Sequence, residues 1–136
     1  MNLVLVDAGP LVALLHRDDQ DHRRCVDTLK KIRAPLATTW PPFTEAMYLL
    51  GFSRTAQDAL LEMVERGALQ FLAVGAEDVP RLRALMNKYR DLPMDLADAT
   101  LVRVAERESI RQVFTLDRRD FAVYRPGRGS RFTILP

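Results

Sequence analysis

The chain has 136 residues, 48% of them hydrophobic and 28% charged, with a formal net charge of +2. That length builds one sizeable core and leaves too little for a second ordinary domain, so a single domain over residues 1–136 is expected. The sequence lacks repeats, low-complexity tracts and any apolar run of roughly 18 residues, which excludes fibrous, disordered and helical membrane-spanning classes. No basic stretch precedes the apolar amino terminus and Asp7 interrupts it, so no export signal is read and a reducing cytoplasm is expected. Cys25 is the only cysteine, which rules out an internal disulfide and a thiolate metal cage. His16 and His22, both inside the charged stretch HRDDQDH, are too few for a zinc site and read as solvated.

In chain order, residues 3–6 read as a short buried strand and residues 9–15 as a helix opened by Gly9-Pro10. Asp21 is placed to cap a second helix carrying Cys25, Val26, Leu29 and Ile32, which Pro35 ends. Residues 36–39 form a second strand. Pro41 and Pro42 suit the first turn of a helix, where no amide donor is needed, and that helix is expected to reach residue 52. A helix over 55–66 and a strand over 69–74 follow. Residues 77–90 are helical, with Val79, Leu82, Leu85 and Met86 on one face. Asp91-Leu-Pro93 breaks the chain before a helix over 95–107, a strand over 112–116, a turn-rich loop at RPGRGS and a last strand over 131–135. Strands alternating with helices predict an α/β fold with a mostly parallel sheet covered by helices. The apolar residues around 47–52 and 60–64 are read as core before interface.

Charge is uneven: residues 1–80 hold 8 Lys/Arg against 11 Asp/Glu, whereas residues 81–136 hold 12 against 7. Arg118, Arg119, Arg125, Arg128 and Arg131 lie close together in the basic half of the sequence, a pattern that suits a polyanion, although taken alone an ordinary solvated surface is the plainer reading.

Four acids stand out. Asp98 heads the apolar helical stripe of Leu101, Val102 and Ala105, apart from a polar face at Thr100, Arg103, Glu106 and Arg107. Glu45 precedes the apolar Tyr48, Leu49 and Phe52 in the same way. Asp7 closes the first strand and Asp117 follows the strand over 112–116. Each has an ordinary explanation. Asp7 suits a helix N-cap, Asp117 a turn, and Asp98 and Glu45 the favourable end of a helix dipole. In a parallel sheet, however, strand ends and the starts of the following helices share one edge, where ligands bind. Four carboxylates gathered there repel one another unless a cation intervenes, and hard oxygen ligands select Mg²⁺ or Mn²⁺. Such a metal beside a basic surface points to phosphate chemistry, with the arginines holding the phosphate backbone. Asp95, three residues before Asp98, either joins the cluster or caps the helix. Asp120 is expected to pair with a nearby arginine.

The stretches LVLVDAGPLVALL, FTEAMYLL, DLADATLVRVAE and VFTLDRRDF, in this order and spacing, resemble the PIN domain, in particular the VapC-type toxin ribonucleases of bacterial toxin–antitoxin pairs. The resemblance implies a three-layer α/β/α sandwich with a sheet of about five strands and a Mg²⁺- or Mn²⁺-dependent endoribonuclease. It implies Asp7 and Asp98 as direct metal ligands. Glu45 and Asp117 would act through waters or on a second ion, with Thr115 as a small polar neighbour. It also implies a cognate antitoxin and a homodimer. Two rivals remain at this level: a PIN nuclease of RNA processing or DNA cleavage, and a non-catalytic nucleic-acid-binding domain. A phosphatase using Asp at the first strand end is disfavoured, because that chemistry needs a second Asp where this chain has Gly9. Dinucleotide and P-loop glycine motifs are absent.

Overall fold

The computed structural model describes residues 2–136. Five short strands form one parallel sheet: β1 (Val4–Val6), β2 (Leu36–Thr38), β3 (Leu69–Phe71), β4 (Gln112–Phe114) and β5 (Thr133–Leu135), in the order β3-β2-β1-β4-β5. The register is continuous across β1, with Leu5 opposite both Ala37 and Val113. Alternation along β1 divides the interior. Val4 and Val6 face one core with Leu11, Phe43 and Leu60, while Leu3 and Leu5 face another with Leu85, Leu101 and Phe121. A strand buried on both faces reads as an unbroken apolar run.

The first core is covered by α1 (Ala8–Leu15), α2 (His22–Lys31), α3 (Trp40–Leu49) and α4 (Arg54–Glu65). The second is covered by α5 (Val79–Lys88), α6 (Leu96–Glu108) and α7 (Arg118–Val123). The three-layer α/β/α sandwich follows directly. The chain builds β1, β2 and β3 in one direction and then returns to place β4 on the other flank of β1. The sheet order therefore reverses between β1 and β4, and the crevice beyond their carboxyl ends is where such folds bind ligands.

Several expectations need correction. Helix α7 was not legible as a helix, because its six residues, RRDFAV, offer less than two turns of periodicity. Strand β3 stops at Phe71 rather than 74, and α5 is entered through a 3₁₀ turn, Ala76–Asp78. Thr100 is buried, not on the polar face, and Val79 is 45% exposed. Helix α3 ends at Leu49, and Tyr48, Leu49 and Phe52 face solvent, as does Leu61 on α4. Only Leu50 and Leu60 of those stretches are fully buried. The histidines are half-buried: His22 Nδ1 lies 2.7 Å from the Ala13 carbonyl, and the His16 ring meets Phe52 edge-on. Asp21 sits at the N-cap of α2 but makes no side-chain capping bond.

Helices α3 and α6 are pinned together by a buried pair. Thr100 donates its hydroxyl to the Ala97 carbonyl at 2.9 Å, so Thr39 is the donor in the 2.7 Å bond to Thr100 Oγ1. Thr100→Val strands the Thr39 hydroxyl and is expected to cost about 1–3 kcal/mol. Adding Thr39→Val removes the orphaned group, so the double variant should lose less than the sum of the singles in denaturant unfolding.

Candidate active site

Asp7, Glu45, Asp95, Asp98, Asp117 and Asp120 line one cleft of about 520 Å³ at the reversal point of the sheet, and no lysine or arginine lines it. Asp7 follows β1 directly as the N-cap of α1. One carboxyl oxygen accepts the Ala8 amide at 2.8 Å and the other accepts the Thr115 hydroxyl at 2.9 Å. Thr115 lies just past β4, fully enclosed, and its oxygen also accepts the Asp117 amide at 3.0 Å. One threonine thus ties the ends of the two central strands together.

Asp117 caps α7 and accepts the Asp120 amide at 3.2 Å, while Asp95 caps α6 and accepts the Asp98 amide at 2.8 Å. Capping and placement in the cleft are compatible, because a cap uses only part of a carboxylate's acceptor capacity. The positive ends of α1, α6 and α7 all meet here, which offsets some of the repulsion among the acids. Asp98, in the first turn of α6, is 9% exposed and accepts the Tyr124 hydroxyl at 2.7 Å. Glu45 stands on the exposed side of α3, at the rim.

Electrostatics follow from burial and crowding. Asp98 is pushed up to about 7, first by desolvation and then by Asp7, Asp95 and Asp117, with the Tyr124 hydroxyl acting against them. Asp7 is raised to about 6 by desolvation, with help from Glu45 and Asp95, against the bonds from Ala8 and Thr115. Glu45 and Asp120 are raised as well, each mainly by desolvation and then by a neighbouring acid. Burial and the bond to Asp98 hold the Tyr124 phenol well above its ordinary value, so it remains a donor.

Carboxylate oxygens of Asp98, Asp117 and Asp120 lie within 4.8 Å of one another, close enough for one cation to bridge. This donor set is all oxygen and suits a hard divalent ion. Asp120 differs from expectation: it makes no ion pair with an arginine among the described residues and belongs to the cleft instead. Its signal was legible only as the third residue after Asp117, one turn along a helix too short to read. The arginines expected on an RNA backbone do not form one patch. Arg118 donates to the Pro136 carbonyl at 2.6 Å, Arg119 acts electrostatically on Asp120, and Arg125 and Arg128 line a separate groove.

A three-layer parallel fold with an acidic cleft at its reversal point is the class that geometry defines. Residues 4–125 match the model of the PIN domain, and the chain belongs to the PIN-domain family. It is 29% identical over 136 residues to Ribonuclease VapC26 of Mycobacterium tuberculosis strain H37Rv, covering 98% of this chain and 100% of that protein. Among solved structures, the fold is similar to Mycobacterium tuberculosis VapC20, titled a sarcin-ricin-loop-cleaving toxin (TM-score 0.78, 17% identity, 85% of this chain and 91% of that one). It is also similar to a toxin–antitoxin complex from Klebsiella pneumoniae (TM-score 0.68, 17% identity, 98% and 96% covered). A third likeness is to VapBC2 from Rickettsia felis bound to a promoter DNA fragment (TM-score 0.68, 12% identity, 98% and 99% covered).

Because Asp7 and Asp98 titrate above their ordinary range, the folded chain holds their protons more tightly than the unfolded chain. In chelator, stability is therefore expected to fall as pH rises from about 4 through 7. Asp98→Asn, which keeps an acceptor for Tyr124, should raise the melting temperature at pH 8 and leave it unchanged near pH 4. A melting temperature lowered at pH 8 would mean that the carboxylate is a structural cap. Tyr124→Phe removes the one contact that favours ionised Asp98. The pH midpoint for Mn²⁺ uptake, read by calorimetry, should then move upward.

Proposed function

We propose that this chain is a Mg²⁺- or Mn²⁺-dependent endoribonuclease and the toxin of a toxin–antitoxin pair, formed as one domain. The observation that carries this reading is the cleft itself: six carboxylates with no cationic side chain among them, two of them pushed toward neutrality. Protein folding alone gives no reason to gather such a set, and a divalent cation does.

In this reading Asp7 and Asp98 would hold one ion directly. Asp117 and Asp120, whose oxygens gather within 4.8 Å of those of Asp98, would act with it on a second ion or through bound waters, as would Glu45, with Asp95 beside them. A bound Mg²⁺ or Mn²⁺ supplies a water of lowered pKa and neutralises charge building on the scissile phosphate. The chain's own residues do the rest. Thr115 fixes the Asp7 carboxylate by its hydroxyl, Tyr124 fixes Asp98 from within the core that α6 covers, and Glu45 stands at the rim. Relatives support the substrate class and partner: one is named a ribonuclease, one is titled a sarcin-ricin-loop-cleaving toxin, and one is a toxin–antitoxin complex. A cognate antitoxin and a homodimer complete the proposal. No helix among the described residues is long and apolar enough to cross a membrane.

The test is cleavage of RNA by purified protein with Mg²⁺ or Mn²⁺. Asp7→Asn and Asp98→Asn should abolish it, chelator should stop it, and Thr115→Val should slow it about 10–100-fold through the loosened Asp7. An intact, folded protein that cleaves nothing in either metal would favour a non-catalytic binding domain.

A further inference from the structure

Across α6 from the acidic cleft lies a second concavity of about 350 Å³, between α5 and the loop over residues 125–130. Its charged lining is Arg81, Lys88, Arg103, Arg125 and Arg128 against a single carboxylate, Glu106. That carboxylate is fully used. Arg81 Nε donates to it at 2.7 Å and Arg103 Nη1 at 3.3 Å, and Arg103 Nε is drawn to Asp78 at 2.8 Å. Three cations are left without a counter-charge. Arg125 Nη1 donates only to neutral acceptors, the carbonyls of Ala122, Val123 and Tyr124 at 2.9, 2.7 and 3.1 Å. Lys88 is exposed, with its ammonium 5.2 Å from the Tyr89 ring centre. Arg128 is exposed and makes no hydrogen bond or ion pair with any described residue.

The loop presents these charges openly. Gly127 and Gly129 flank Arg128 with φ of 147° and 64°, so the chain turns there without side chains that would wall off the groove. A concave site with surplus positive charge, lined by charged side chains and glycines and by no hydrophobic residue, suits a polyanion backbone better than a protein helix. Position links it to the cleft. Arg103 and Glu106 follow Asp98 on the same helix by five and eight residues, about 8 and 12 Å along the axis. Tyr124, bonded to Asp98, immediately precedes Arg125. Along the axis alone, that separation is the rise of about two to four stacked nucleotides at roughly 3.4 Å each.

We propose that the α5–α6–loop groove, through Lys88, Arg125 and Arg128, is a binding site for the phosphodiester backbone of the RNA substrate, distinct from the acidic cleft. The assignment to substrate rests on the ribonuclease reading above. The groove grips the strand a few nucleotides from the scissile bond, where the cleft, crowded with carboxylates, gives the RNA little electrostatic attraction.

The experiment measures binding of a fluorescent 12-nucleotide single-stranded RNA by anisotropy, with Asp98→Asn as background so that nothing is cleaved. Lys88→Gln with Arg128→Gln, both at exposed positions, should weaken binding about tenfold at low salt. The plot of log affinity against log salt should become shallower by about 1.4, the release expected for two single-strand phosphate contacts. Arg23→Gln with Lys30→Gln on α2, in the opposite layer, should change neither. Unchanged affinity and slope for the 12-mer overturn the proposal. A 12-base-pair DNA duplex held more tightly than the RNA through these same residues overturns the assignment to substrate. Cleavage by the otherwise unaltered chain separates the two readings. No cleavage with Mg²⁺ or Mn²⁺ while the groove dependence persists removes the ribonuclease reading alone. Cleavage with the 12-mer's affinity and KM untouched by the double change removes the groove alone.

Discussion

The burial of several carboxylates together at the carboxyl ends of β1 and β4 is the constraint around which this molecule is arranged. Taking each acid out of water is the larger cost, and crowding adds to it. The fold answers with three converging helix N-termini and with single, well-aimed donors: the Ala8, Asp98 and Asp120 amides and the Thr115 and Tyr124 hydroxyls. These contacts hold the acids in place without neutralising them. A site stabilised to that degree and no further is set to receive a cation, and its residual strain shows as carboxyl groups that titrate far above their usual range.

The two helical layers carry different parts of that task. Helices α1 and α3 bring Asp7 and Glu45 from the first half of the chain, which is the acidic half. Helices α6 and α7 bring Asp95, Asp98, Asp117 and Asp120 from the basic half. The surplus of arginine in that second half does not reach the cleft. Much of it is drawn into the network that ties α5 to α6, where buried Asp78 takes Arg103 and Arg107 and Glu106 takes Arg81. What is left over surrounds the groove beside residues 125–130. Opposite charges are thus segregated on two sides of one helix, an arrangement that separates holding a metal from holding a polyanion.

Much of this was legible without coordinates, for identifiable reasons. The apolar run before Asp7 and the 3.6-residue stripe behind Asp98 are local patterns, and local patterns survive in sequence. The alternation of strands and helices constrains topology so tightly that a shared sheet edge follows from it. The model family and the folds of distant relatives at 12–17% identity agree with that architecture. Glu45 was found for a reason that the structure does not uphold: the apolar residues after it face solvent, so it heads no buried stripe. Asp120 was assigned to an arginine because basic residues precede it, whereas the α7 turn aims it into the cleft.

The sequence by itself determined the class of fold, the order of its elements and the identity of four acids at strand ends and helix starts, because each of these is written in periodicity, capping residues and breaks along the chain. Only the tertiary structure decided which acids share a cavity, which hydroxyls restrain them, which apolar side chains stay in water and which arginines keep an unspent charge. Those outcomes depend on contacts between residues far apart in the chain, such as Thr115 with Asp7 and Tyr124 with Asp98, and no local pattern encodes the distance between them.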